Sequence, residues 1–475
     1  LLPRSLHVEK LNPHIPFDDL NLSVAIEPVP LASPEDAPHL AGVNNFGFGG
    51  TNVHVVIEAP PRAANDTPSL AASGRADAHP APLRLEGAHR DPAVTDLLMI
   101  SANCPDARRA LAANYAETLR RAAAGGLSHR AVAAAAVRRR ERLPERLVVR
   151  GRYATEMAIA LEQFAAGERP AAVLSGRAVA VEAGTALVFS GNGAQWDGMG
   201  RAAFETSATF RKHFRKIDEH YRAISGDSLE TLLFADDLAE HLVRTEVAQP
   251  LLFAVQVALV RALEARGLRF SATLGHSVGE VAAAHIAGAL DLAQAVAVIR
   301  ARSHHQEIAA GQGLMAAVQA ARETTADLIG KAGLETVEIA ALNSPRSVTV
   351  SGAADEIRAF VRLAEENRIA ARLLDINYPF HSARLDAVRA PLLDTLADLE
   401  PRVTTCAMYS SVTGGKIDGA ELHANFWWDN VRLPVRFDEA VQRAAADGIQ
   451  VFIEIGPRPI LTNYIADSTV NADLE

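Results

Sequence analysis

Three features of this 475-residue sequence predict an α/β protein. A serine between two glycines, Gly275-His276-Ser277-Val278-Gly279, joins a short apolar strand (270–274) to an alanine-rich helix (278–290). Residues 313–375 run strand, helix, strand, strand, helix, strand, the split order of a ferredoxin-like subdomain. Residues 96–182 carry a separate, shorter alternation, which reads as a small α+β unit.

The length allows about three domains, taking ~150 residues for each. With 49% hydrophobic and 22% charged residues the composition is that of a soluble globular chain. A net charge of −10 argues against a nucleic-acid partner. The two cysteines, Cys104 and Cys406, are far apart, which implies neither a disulfide framework nor a zinc site and suits a reducing, cytoplasmic setting. No metal is expected. No apolar run approaches the ~18 residues that span a bilayer, and the N-terminus lacks the zones of a signal peptide. The absence of an initiating methionine predicts that the chain is cut from a longer polypeptide.

Residues 1–60 end in Asn44-Asn45-Phe46-Gly47-Phe48-Gly49-Gly50-Thr51-Asn52, which reads as a close-packed turn feeding a buried strand. Residues 61–95, rich in Pro, Ala, Ser and Asp, read as a flexible connector. The α+β unit has strands at 97–101 and 146–150 and helices at 105–124, 128–140 and 155–166. It carries a basic run, Arg138, Arg139, Arg140, Arg142 and Arg146. That run is either a docking face for an acidic partner or a solvated helix end whose charges complement the dipole.

A strand at 186–190 then enters Gly191-Asn192-Gly193-Ala194-Gln195-Trp196-Asp197-Gly198-Met199-Gly200. Neither the phosphate-loop nor the dinucleotide spacing is met, so the loop is read as a close backbone approach that supplies a second N–H to an oxyanion hole. Helices at 246–268, with Gln249 at its start, and at 293–308, with Arg300 and Arg302, flank the serine turn. After the ferredoxin-like run come the loop Asn377-Tyr378-Pro379-Phe380-His381-Ser382, the segment Leu433-Pro434-Val435-Arg436-Phe437, and a strand at 451–455. In a strand-to-helix elbow the glycines relieve crowding and the serine oxygen projects beside free helix N–H groups that can stabilise an oxyanion. Residue pattern alone leaves a serine hydrolase, an acyl-transfer enzyme and a plain tight turn all open.

The order of these motifs resembles the acyltransferase domain of modular type I polyketide synthases and, beyond it, the malonyl-CoA:acyl carrier protein transacylases. Residues 44–52 resemble the C-terminal end of a β-ketoacyl synthase, whose catalytic cysteine and histidines lie outside this chain. The resemblance implies a ketosynthase remnant at 1–60, the connector at 61–95, a linker domain at 96–182, an α/β-hydrolase-like large subdomain at 183–312 and 376–475, and the ferredoxin-like small subdomain at 313–375. It implies Ser277 as nucleophile and His381 as general base and acid, with oxyanion donors on the backbone of Asn192 and Val278. It also implies a backbone carbonyl, placed on Arg436, that orients the histidine. Arg302 matches the arginine that pairs with the free carboxylate of a dicarboxylic acyl unit, a planar guanidinium being suited to two parallel charge-assisted bonds. Gln249 and Asn343 match polar residues of the cleft.

By the same resemblance, Phe380 and Val278 point to malonyl, whereas Tyr378 is the methylmalonyl-type residue of the tetrad ending at His381. The reaction implied moves malonyl from a coenzyme A thioester to the phosphopantetheine thiol of an acyl carrier protein, with no bound cofactor. A ketosynthase in the same polypeptide is the implied neighbour, and a monomer is expected for the chain itself. The alternatives are a methylmalonyl-selective or promiscuous transferase, a serine hydrolase, and a non-catalytic docking fragment.

Overall fold

A computed structural model describes residues 2, 4–6, 8–30, 40–46, 52–58, 96–126, 128–179 and 184–470. The chain forms two compact units, Leu1–Arg90 and Asp91–Glu475. In the first unit, strands β1 (Leu40–Phe46) and β2 (Asn52–Glu58) pair antiparallel. The glycine-rich turn at 47–51 and the connector at 61–95 lie outside the described residues. The strand expected to be buried is not: Val53, Val55, Val56 and Ile57 are all exposed. Among the described residues no second layer covers the faces of this two-stranded ribbon.

The second unit begins with a three-stranded antiparallel sheet of β3 (Asp96–Ala102), β4 (Glu145–Gly151) and β5 (Val173–Arg177), β4 being central. Alternation decides its inner face: Leu98, Ile100, Leu147 and Val149 are buried against Leu119, Met157 and Leu161 of the helices Pro105–Ala124 and Ala154–Ala165. The first helix opens with proline at N1 and stops before Gly125. In the basic run, Arg138 ends a helix and Arg138, Arg139, Arg140 and Arg142 are exposed.

The large sheet consists of β6 (Gly184–Phe189), β7 (Ala272–Gly275), β12 (Ala407–Ser410), β13 (Gly415–Ile417) and β15 (Ile449–Ile455), in the order β13-β12-β7-β6-β15. β7 lies between parallel partners. Such a strand is covered on both faces, which is why 272–275 is wholly buried. The helix Thr245–Glu264 packs into this core; it is long and apolar enough to cross a membrane, but 78% of its apolar window is buried inside the protein.

The small sheet contains β8 (Leu314–Val318), β9 (Glu338–Ser344), β10 (Ser347–Gly352) and β11 (Ala371–Leu373), all antiparallel in the order β11-β8-β10-β9. That is the ferredoxin-like topology read from the sequence. A fifth strand extends it: β14 (Val435–Arg436), from the region assigned to the large subdomain, pairs in parallel with β9.

Candidate active site

The serine turn is built by close backbone packing. A Cβ on Gly279 would lie 2.2 Å from the Phe189 carbonyl oxygen, and one on Gly275 would lie 2.2 Å from Glu280 Cα. Only glycine lets the helix Gly279–Ile286 start this close to β6 and β7. Gly279→Ala is therefore expected to cost ~1–3 kcal/mol or more by overpacking, read as a lowered thermal midpoint.

The turn leaves Ser277 at φ 51°, and His381 adopts φ 58°, two non-glycine residues in the left-handed region. Each costs roughly 1–3 kcal/mol, held in place by the surrounding structure. Ser277 Oγ lies 2.8 Å from His381 Nε2. His381 Nδ1 donates to the Leu433 carbonyl at 2.8 Å, which leaves Nε2 unprotonated and facing the hydroxyl. Burial, with Arg302 adding positive charge nearby, pulls the imidazole down to about 3, so it stands neutral as a base.

The orienting carbonyl thus belongs to Leu433, three residues before the expected Arg436. The helix Ala424–Arg432 ends there and its C-cap, Leu433, is extended, which frees the carbonyl. Arg436 is taken up elsewhere: its N–H donates to Ser411 O, and its guanidinium pairs with Glu439.

Arg302 is 1% exposed and donates from Nη2 to Ser277 Oγ at 3.1 Å. Its Nη1 donates to Gln249 Oε1 at 2.7 Å and its Nε to Asn430 Oδ1 at 3.1 Å. Burial drags the guanidinium down to about 9, while Glu280 opposes that shift, so the charge persists at neutral pH. Gln249 therefore stands behind Arg302 as its acceptor and does not line the cleft.

Beside Ser277 and His381 opens a cavity of ≈ 880 Å³ lined by Asn192, Met315, Asn343 and Phe380, with Arg346 and Arg372 also on its wall. Asn343 Oδ1 accepts from His276 Nε2 at 2.9 Å, and its Nδ2 donates to Thr349 Oγ1 at 3.0 Å. The Asn192 and Val278 amides donate to no protein acceptor among the described residues, as free oxyanion donors must. Phe380 stacks on Tyr378 at 5.1 Å, nearly parallel. Tyr378 is not on the cavity wall; its hydroxyl donates to Glu307 Oε1 at 3.0 Å, and its own proton is held up to about 12 by burial.

Sequence reading missed Asn430 and Glu280. Asn430 Nδ2 donates to the Ser277 carbonyl at 3.2 Å and to Glu280 Oε2 at 2.9 Å. Glu280 stands one residue after the second elbow glycine, the one carboxylate in the helix Gly279–Ile286, and that was the available signal.

Residues 186–474 match the family described as acyl transferase domain, and residues 12–146 match the ketoacyl-synthetase C-terminal extension. The chain is 33% identical over 474 residues to Erythronolide synthase EryA2 of Saccharopolyspora erythraea; this covers 99% of the chain but only 13% of that relative's length. It is similar to the crystal structure of the acyltransferase domain from module 8 of the salinomycin polyketide synthase, with 32% identity and a TM-score of 0.72 over 79% of this chain and 88% of that one. It is also similar to malonyl CoA-acyl carrier protein transacylase from Clostridium perfringens, with 26% identity and a TM-score of 0.56 over 61% of this chain and 92% of that one.

Proposed function

Because this chain belongs to the acyl transferase domain family, in the form built into modular polyketide synthases, we propose that it carries a malonyl unit from coenzyme A, through an ester on Ser277, to the phosphopantetheine thiol of an acyl carrier protein. The observation that carries this reading is a single oxygen with two partners: Ser277 Oγ faces a neutral His381 Nε2 at 2.8 Å and the Arg302 Nη2 donor at 3.1 Å.

In the first half-reaction His381 Nε2 takes the Ser277 proton as Oγ attacks the thioester carbonyl. The Asn192 and Val278 amides stabilise the oxyanion, and coenzyme A leaves as a thiol, protonated by the imidazolium. In the second half-reaction His381 takes the pantetheine thiol proton, the sulfur attacks the seryl ester, and Ser277 recovers its proton. Arg302 holds the distal carboxylate, which selects malonyl-type units over acetyl.

Malonyl is favoured over methylmalonyl because Phe380 occupies the cavity wall with its ring backed by Tyr378, whose hydroxyl Glu307 holds. Tyr378 therefore supports the Phe380 wall here.

Intact-mass measurement after incubation with malonyl-, methylmalonyl- or acetyl-CoA tests the reading. Malonyl is expected to label most strongly, and added carrier protein should discharge the ester. Equal labelling by acetyl-CoA would count against the role given to Arg302, and rapid release by water with no effect of carrier protein would point to a hydrolase. In the same assay Phe380→Ser is expected to raise methylmalonyl relative to malonyl labelling by ~10–100-fold, the value of about one methylene in a pocket.

A further inference from the structure

The four hydrogen-bond partners of Arg302, namely Gln249, Gln306, Asn430 and Ser277, are all neutral. Yet a cation buried this deeply needs a compensating charge. The carboxylate nearest this network is Glu280, fully buried and one amide away: Asn430 accepts from Arg302 Nε on Oδ1 and donates from Nδ2 to Glu280 Oε2 at 2.9 Å. Ser411 Oγ donates to the same oxygen at 3.0 Å, whereas Glu280 Oε1 has no hydrogen-bond partner among the described residues. Ser410 and the Ser411 backbone also favour the ionised form, and the charges of Glu280 and Arg302 support each other across Asn430.

Resting on the reading that a dicarboxylic acyl unit docks on Arg302, we infer that Glu280 is the resident counter-ion of the guanidinium and takes one proton from solvent when the substrate carboxylate arrives. Charge balances on both sides: Arg302⁺ with Glu280⁻ before binding, Arg302⁺ with the acyl carboxylate and neutral Glu280 after it. Glu280 is a positioning residue, acting on the substrate through Arg302 and Asn430.

Burial, opposed by hydrogen bonds from Ser410, Ser411 and Asn430, raises Glu280 to about 7, and a second negative charge beside Arg302 raises it further. Among the other titratable groups nearby, Asp429, next to Asn430 on its helix, is raised by burial. His285 on the helix of Glu280, and His276 and His381 in the site, are pulled down by burial. Arg261 pairs with Glu264, Arg432 with Glu338 and Asp386, and Tyr409 donates to Asp447.

The sign follows from linkage. Below about pH 7 Glu280 is already protonated, and binding takes up nothing. Above it, binding must draw a proton from an increasingly basic solution, so the malonyl-CoA Kd weakens by up to ~10-fold per pH unit until the raised pKa of the complex is reached.

The test is isothermal titration calorimetry of the Ser277→Ala chain at about pH 8, where acylation cannot follow binding, in two buffers of different protonation enthalpy. Malonyl-CoA is expected to take up close to ~1 proton more than coenzyme A, which carries the same phosphates and no acyl carboxylate. In Ser277→Ala/Glu280→Gln the excess should vanish, and Kd should lose its pH dependence. Equal proton counts for the two ligands on Ser277→Ala overturn the inference while leaving the acyltransferase reading intact; that comparison needs no Glu280 variant and decides even if Glu280→Gln fails to fold. Persistence of the excess in a folded Glu280→Gln chain also overturns it. If malonyl-CoA binds no better than coenzyme A and labels no Ser277, the docking reading fails and the inference falls with it.

Discussion

Ser277→Ala acquires no acyl mass from malonyl-CoA, and His381→Ala acquires it ~10²–10⁴-fold more slowly than the unaltered chain: these are the expected results with the largest effect. The two differ in kind. Without Oγ there is no atom to carry the ester. Without the imidazole, Oγ keeps its Arg302 donor and the oxyanion amides but must lose its proton to water. Because the imidazole sits near 3 in the folded chain, it is already neutral throughout the working range. Acylation by the unaltered chain is accordingly expected to show no loss on the acid side between about pH 7 and 5, whereas an imidazole at its ordinary value would lose most of its basic form there. Rapid-quench intact mass across that interval reads both effects.

Arg302→Gln is expected to lower malonyl labelling by ~10²–10³-fold while leaving acetyl labelling within a few-fold, the loss typical when one partner of a desolvated charge pair is removed. A glutamine keeps hydrogen-bonding atoms near Gln249 and Asn430, so the variant tests charge more than packing. The ratio of the two labels is the informative readout, since a general loss of fold lowers both. If malonyl and acetyl labelling fall together, Arg302 is a structural cation and the selectivity must come from the cavity wall.

Local signals in this sequence were strong wherever one stretch decided the outcome. Pro105 and Gly125 bracket a helix whose ends were readable from those two residues. The β-α-β-β-α-β run gave a sheet with the order its topology demands. Ser277 and His381, 104 positions apart, were legible through their motifs, and the structure puts them in hydrogen-bond contact.

What remained unreadable depends on distant packing or on atoms every residue shares. Leu433 serves through its carbonyl, and no side chain marks the residue that will do so. Asn430 meets Ser277 and Glu280 across about 150 residues of chain, a contact created by the arrival of the helix Ala424–Arg432. The edge strand Val173–Arg177 was missed because four of its five residues are exposed, leaving no alternation to see. Tyr378, read as a substrate contact, turns its hydroxyl to Glu307, a partner that only the fold supplies.

The short strand β14 bears on how such domains can be recombined. Val435 pairs with Ala341 and Arg436 with Leu342, and Leu433, which holds the imidazole, lies two residues before that pairing begins. The histidine's anchor is therefore stitched to the ferredoxin-like sheet, although it is encoded some sixty residues after that sheet's last strand of its own. A chimaera that exchanges residues 313–375 alone cuts across this seam, and the carbonyl that holds His381 inherits whatever register the foreign β9 offers. Moving 433–436 together with the subdomain keeps the β9–β14 pairing and the anchoring carbonyl in one piece.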